Sequence, residues 1–389
     1  MIYLDYNATT PIDPRVAEAM GPFLREEFGN PSSLHPPGLK AKEAMEKARG
    51  EVADLLGASP AEIVFTSGGS ESNNQVIKGV AAAHRGRTRH IITTQIEHPS
   101  VLEPCRYLEG EGVEVTYLEV DGRGRVAPEA VGKALRPETI LISVMHSNNE
   151  VGTLQPIAEI GKMARAAGVL FHTDGSQSVG KLPIGVGELE VDFFTVAGHK
   201  VYAPKGIGAL YMREGIALVS LIHGAGQEGG RRAGTESVLL MVGLGAACRL
   251  AKEGLHVEIP RIQALRDRLH QGLQGRVSRL TLNGHPEERL LNTLNVSFPG
   301  VPGFEVLSEL EGVCASTGSA CHEGSGEISP VLRAMGVDEE VGLGAVRFSL
   351  GRWTTQEEVD QVIEAVAQWA KRRAPKGLWT RLKRLVGRG

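Results

Sequence analysis

Five short stretches carry side chains that could do chemistry together. GHK (198–200) follows the apolar run VDFFTVA and offers a lysine amine, Lys200, at the end of a predicted strand. In a cleft near other cations, partial burial lowers a lysine's pKa and frees its lone pair. VLFHTD ends in Asp174, a carboxylate that could keep a pyridinium nitrogen protonated. SGGSES (67–72) joins EIVFT to a helical pattern, and Gly69, the Ser70 hydroxyl and the free N–H groups of the helix make a phosphate seat. IEHPS sets the flat ring of His98 behind another strand, suitable for stacking on an aromatic cofactor. ASTGSACHEGSGE (315–327) puts Cys321 among small and polar residues, on what reads as a mobile loop. Singly these are a solvated lysine, a helix cap, a turn, a loop histidine and a thiol. Jointly, lysine, carboxylate, phosphate seat and stacking ring fit pyridoxal 5′-phosphate.

The elements that must position them are legible as periodicity. EIVFTSG, HIITTQ, VEVTYLEV, TILISVMHS, VLFHTDGSQ, VDFFTVAG and IGALYMR read as strands, separated by amphipathic segments such as 156–168, with Ile157, Ile160, Met163 and Ala164 at helical spacing. The predicted fold class is α/β, a mostly parallel seven-stranded sheet covered by helices, with a smaller C-terminal α+β domain. Ligands of such sheets bind beyond the carboxyl ends of the strands, where this chain carries SGGSESNN, HSNNE, HTDGSQ and AGHK. After about residue 258 the pattern changes to a helical stretch (261–274), strand-like LNTLNVSFPG and GAVRFSLGR, and a last helix near Thr355 with a capping-box pattern to Glu358. Residues 13–257 are expected to form the large cofactor-binding domain. Residues 1–12 and 258–389 are expected to form the small one, which carries the Cys321 loop and a basic tail.

Composition narrows the class of function. Lys+Arg 42 against Asp+Glu 46 gives a net charge of −4, so no overall basic field points to nucleic acid, and a small-molecule site is the better expectation. The opening MIYLDYNATTP lacks a basic and then apolar leader, and no run approaches the roughly 18 apolar residues of a membrane span, which predicts a cytoplasmic protein without membrane contact. Four scattered cysteines without a CxxC pair predict neither a disulfide framework nor a metal site. Cys314, between Val313 and Ala315, reads as an inert buried thiol. The tail from Lys371 contains no acid and reads as a solvated terminus, or as a docking segment for an acidic protein.

The chain resembles the cysteine desulfurases of the class V aminotransferase group, pyridoxal-phosphate enzymes of fold type I. The likeness runs from LDYNATTP through GNPSSLH, FTSGGSESNN, EHPS, HSNNEVG, HTDGSQSVGK, GHKVYAPKGIGALY and RRAGTES to RFSLGRWTT, and STGSAC matches the subgroup with a GSAC signature. The resemblance implies that Lys200 binds the cofactor covalently, Asp174 pairs with its ring nitrogen, Gln177 contacts its phenolic oxygen and His98 stacks on it. Gly69, Ser70 and His199 would hold the phosphate, with Thr235 reaching the phosphate of a neighbouring subunit in a homodimer. Asn149 and Arg347 would hold the carboxylate of L-cysteine, and Cys321 would take its sulfur as a persulfide for an acceptor such as an iron–sulfur scaffold protein, or for tRNA thiolation. A thiolate suits that task because it is a soft nucleophile whose persulfide can be attacked again. Two positions depart from the pattern. Ala197 stands where such proteins usually carry a phosphate-binding serine, so Ser70 or backbone groups must compensate, or phosphate binding is weaker. His322 follows the cysteine, as also occurs in selenocysteine lyases, which keeps that activity open. A non-catalytic iron–sulfur or metal scaffold is the remaining alternative, and it would leave Lys200 and Asp174 unexplained.

Overall fold

The computed structural model describes residues 1–318 and 327–373; Cys321, His322 and the tail from residue 374 lie outside the described residues. The chain begins with β1 (Ile2–Tyr3). β2 (Ile63–Thr66), β3 (His90–Thr94), β4 (Glu114–Leu118), β5 (Thr139–Ser143), β6 (Leu170–Asp174), β7 (Phe193–Ala197) and β8 (Gly208–Met212) then build a seven-stranded sheet in the order β2-β8-β7-β6-β5-β3-β4. These are the seven runs expected from the sequence, and only β8 is antiparallel to its neighbours. Successive side chains of a strand face opposite ways. Phe65, Ile92, Ile142, Phe171 and Phe194 accordingly enter one core with the helices Pro36–Leu56 and Ile157–Ala167. Their neighbours Val64, Ile91, Leu141 and Phe193 enter another with the helices Gly69–Ala83 and Pro99–Glu109. Both faces are therefore covered, which is why these strands read as continuous apolar runs.

Antiparallel β8 has a functional consequence. A parallel partner for β7 would need a long crossover, whereas here residues 198–207 turn back directly, closed by the Gly198 N–H donating to the Ile207 carbonyl at 3.0 Å. Lys200 is thereby held at the carboxyl end of β7. β3 has β4 on one side and β5 on the other, so the strand order reverses there and opens a crevice at the sheet's carboxyl edge.

The second unit contains β9 (Thr281–Asn283), β10 (Thr293–Ser297) and β12 (Ala345–Ser349) as an antiparallel sheet, while β11 (Val313–Cys314) pairs with β1. Residue 257 falls inside one 37-residue helix, Val238–Gln274, rather than in a linker. Its first part, to Ala251, packs in the large unit's core, and Ile262, Leu265, Leu269 and Leu273 pack with Leu4, Val296 and Phe348 in the small one. No residue from Lys252 to Arg261 is buried, so the helix crosses between two cores. The last helix spans Gln356–Arg373 and has both reciprocal capping-box bonds, Thr355 N–H to Glu358 at 3.0 Å and Glu358 N–H to Thr355 Oγ at 3.2 Å. Cys314 departs from its expected burial: pairing with β1 at a sheet edge leaves it half-buried, while among the described residues Cys105 and Cys248 are the fully enclosed thiols, with the Cys105 pKa pushed up to about 12 by burial.

Candidate active site

A cavity of about 460 Å³ lies beyond the carboxyl ends of β3, β5, β6 and β7. Gly69, Ser70, His98, Asn149, Asp174, Gln177, His199, Lys200 and Arg347 all line it, so nine side chains or turns chosen from sequence converge on one space. Thr235 does not line it. It is solvent-exposed in the loop before the helix Val238–Gln274.

Asp174 ends β6 as a buried carboxylate. One oxygen accepts from Asn73 Nδ2 at 2.7 Å and the other from the Ser176 N–H at 2.9 Å, which fix its plane. Asn73 also donates to Ser100 Oγ at 2.8 Å, tying the helix Gly69–Ala83 to the turn that carries His98. His98 caps the helix Pro99–Glu109, its Nδ1 accepting from the Ser100 N–H at 3.1 Å. An accepting Nδ1 puts the ring proton of the neutral form on Nε2. The ring is open to solvent at the cavity mouth, yet enclosing protein lowers its pKa, helped by the Lys200 charge and opposed by Asp174, so the neutral ring dominates at neutral pH.

Lys200 Nζ donates to the carbonyls of Asn7 and of Ala8, the latter at 2.7 Å. Gln177 Nε2 donates to the same Asn7 carbonyl at 3.0 Å, while its Oε1 accepts from Lys181 Nζ at 2.9 Å. A lysine ammonium can only donate, so this contact sets the amide's orientation. Burial and the charges of Lys200 and Arg347 lower the Lys181 pKa to about 7. His199 Nδ1 lies 3.2 Å from Thr9 Oγ1, and burial with the nearby lysines holds the ring near pKa 4, neutral in use. Arg347 is almost wholly buried; Nη1 donates to the Asn149 carbonyl at 3.0 Å and Nη2 to Asp5 at 2.7 Å, and its remaining N–H donors suit an incoming carboxylate.

Glu97, Asn7, Asn73, Ser176 and Lys181 were not singled out from sequence. Glu97 is buried at the cavity wall; Oε1 accepts from Thr94 Oγ1 at 2.7 Å and from the Met145 N–H at 3.0 Å, Oε2 has no partner, and burial raises its pKa to about 8. All five fall inside stretches quoted above, Asn7 in LDYNATTP, Asn73 in SGGSESNN, Glu97 in EHPS, and Ser176 and Lys181 in HTDGSQSVGK, where Lys181 also sits four positions after Gln177. Nothing in that stretch marks the part Asn7 plays, because it acts through its backbone carbonyl on residues 170 and 193 positions away.

The flanks of residues 319–326 meet this site. Ser316 and Arg347 exchange backbone hydrogen bonds at 3.2 and 2.6 Å, and Pro330 and Val331 line the cavity.

An α/β fold with a lysine, a carboxylate and an open helix N-terminus around one crevice defines a cofactor-dependent enzyme of the aminotransferase kind. The aminotransferase class-V family model matches residues 2–362, and the chain belongs to that family, in its cysteine desulfurase branch. Cysteine desulfurase IscS of Dictyoglomus turgidum is 49% identical over 94% of this chain and 93% of its own length. A cysteine desulfurase of Pongo abelii is 47% identical over 97% of this chain and 84% of its own. Among solved structures, a NifS-like protein superposes with a TM-score of 0.90 at 41% identity, covering 95% of this chain and 99% of its own. SspA in complex with cysteine superposes at 0.83 with 41% identity, covering 91% and 100%. The family's cofactor is pyridoxal phosphate, and the residues here fit it. A Cβ at Gly69 would lie 3.1 Å from Ser176 Oγ and 3.3 Å from the Ala197 methyl, so a glycine keeps the helix N-terminus open as a phosphate seat, with an amine and a fixed carboxylate on the same cavity.

Proposed function

We propose that this chain converts L-cysteine to L-alanine and leaves the sulfur as a persulfide on Cys321, for delivery to an acceptor protein such as an iron–sulfur scaffold. Bound in the cavity, pyridoxal phosphate supplies an electron sink for charge developing on the substrate carbon. Lys200 would hold the cofactor through Nζ and is the base placed to take the Cα proton of the substrate. Asp174, with both oxygens already fixed, keeps a proton on the ring nitrogen. Gln177 turns Nε2 to the phenolic oxygen, His98 stacks and exchanges a proton through Nε2, and Gly69, Ser70 and neutral His199 hold phosphate. Arg347 and Asn149 orient the substrate carboxylate. The Cys321 thiolate attacks the substrate sulfur, the carbon–sulfur bond breaks and its electron pair passes to Cβ, which takes up a proton; the proton taken by Lys200 returns to Cα, and alanine leaves. One observation carries this reading: the C-terminal flank of the Cys321 segment lines the cavity shared by Lys200, Asp174 and Arg347, through Pro330 and Val331, and its N-terminal flank pairs through Ser316 with the backbone of Arg347.

Exposed Thr235 supports a homodimer in which it completes the partner's phosphate site. The division of cores along the helix Val238–Gln274 supports a large unit of 13–257 and a small one of 1–12 with 258–389. The test is purified protein with L-cysteine, scoring alanine and protein-bound persulfide beside Cys321→Ser. The variant should keep the near-visible band of the cofactor and lose alanine formation; full turnover by it would overturn the mechanism. A parallel arm with L-selenocysteine separates the two activities, since a lyase would work on selenocysteine without Cys321.

A further inference from the structure

Resting on the reading that pyridoxal phosphate occupies this cavity, we propose that Ser176 is a phosphate ligand, taking through its hydroxyl the position that Ala197 leaves without a donor. Ser176 follows Gly175 in the turn after β6 and lines the cavity, half-buried. Its N–H is committed to Asp174 at 2.9 Å, which fixes the backbone. Its hydroxyl, like that of Ser70, makes no hydrogen bond among the described residues, whereas the other hydroxyls lining the cavity are engaged: Ser100 with Asn73 and His98, and Ser147 with Ser178.

Distances place that hydroxyl beside the helix start. Ser176 Oγ lies 3.1 Å from the point where a Cβ on Gly69 would be, and the Ala197 methyl lies 3.3 Å from the same point. The first residue of the helix Gly69–Ala83 is therefore flanked by one donor and one methyl. The N–H groups of a first helical turn have no intrahelical acceptor, and Gly68 at the N-cap has no side chain to bind them. An oxyanion seated there meets backbone N–H groups from below and Ser176 from the side. Ser70, the expected compensator, is solvent-exposed on the helix's first turn, so it reaches the seat from the open side. Gly175 makes the arrangement possible, since a Cβ there would lie 1.9 Å from Cζ of the buried Phe194 ring.

The experiment is equilibrium titration of the cofactor-free full chain with pyridoxal phosphate and, separately, with pyridoxal, which lacks the phosphate, followed by absorbance. Ser176→Ala should raise the dissociation constant for pyridoxal phosphate by roughly tenfold or more, the loss of one hydrogen bond to a charged group, and leave that for pyridoxal unchanged. The double variant Ser176→Ala/Ala197→Ser, which moves the hydroxyl to the other side chain beside Gly69, should recover most of that loss. Equal dissociation constants for wild type and Ser176→Ala would overturn the assignment, as would equal weakening of both compounds, the mark of a merely structural serine. Wild-type protein binding neither compound would instead sink the reading of the site as a whole, and this one with it.

Discussion

Lys181 shows how a single side chain can govern a site it does not line. Its ammonium holds Gln177 Oε1 at 2.9 Å, and its charge faces those of Lys200 and Arg347. Replacing it with methionine frees the Gln177 amide to rotate and removes a cation near Lys200. Both changes favour a proton on the Lys200 nitrogen, since a nearby like charge and a donor on the phenolic oxygen each disfavour it. Lys181→Met should therefore move the pH midpoint of the cofactor's near-visible band upward by roughly half a unit to a unit, and Lys181→Arg should restore it. A spectroscopic midpoint unchanged in the methionine variant would remove this role. The sequence made Lys200, Asp174 and His98 visible because polar chemistry there follows an apolar strand run. Asn7 stayed hidden because its role depends on register between distant segments, which periodicity does not encode; Lys181 stayed hidden because a four-residue spacing to Gln177 does not by itself turn both side chains into one site.

Elements were easier to read than their joins. The seven strands and the last helix were legible because their apolar residues recur at the period of a covered strand or an amphipathic helix, and the capping pair Thr355 and Glu358 closes as its spacing implied. Thr355→Ala should lower stability by about 1 kcal/mol, visible as a lower melting temperature, while cofactor affinity stays unchanged because that helix packs in the small unit's core. Helix Val238–Gln274 was only half visible, since no residue from Lys252 to Arg261 is buried and the apolar stripe lapses between the two cores. The turn after β6 is the most constrained join. A Cβ at Gly175 would lie 1.9 Å from Cζ of Phe194, and overpacking of this kind costs roughly 1–3 kcal/mol. Gly175→Ala should lower the melting temperature and weaken cofactor binding together, because Asp174, Ser176 and Gln177 sit on the same turn. Adding Phe194→Leu should recover part of the affinity. A Gly175→Ala protein with wild-type melting and affinity would show that the turn yields at no cost.

At the scale of the whole molecule, buried titratable groups set how stability depends on pH. Burial holds His146, His172 and His199 near pKa 4, against 6.5 when unfolded, so between those values the unfolded chain binds up to three more protons and stability falls as pH falls. Glu97 acts the other way: raised from 4.5 to about 8, it keeps its proton in the fold, and its contribution is lost as pH rises through that window. Three histidines outweigh one carboxyl below pH 6.5, so the cofactor-free protein should lose stability steadily on acidification. Above 7 the Lys181 amine, lowered to about 7 from 10.5, favours the fold as pH rises and offsets Glu97. The expected profile is a steep acid limb and a nearly level stretch from about pH 6.5 to 8. Glu97→Gln isolates the opposing part, because the amide mimics the protonated acid and does not titrate. Relative to wild type, its stability should improve on going from pH 5 to pH 8, by at most about 4 kcal/mol, three pH units at 1.36 kcal/mol each. Melting temperatures of both cofactor-free proteins at the two pH values decide the matter. Parallel shifts would mean that Glu97 is ionised in the fold, and that the unpartnered Oε2 at the cavity wall carries charge instead of a proton.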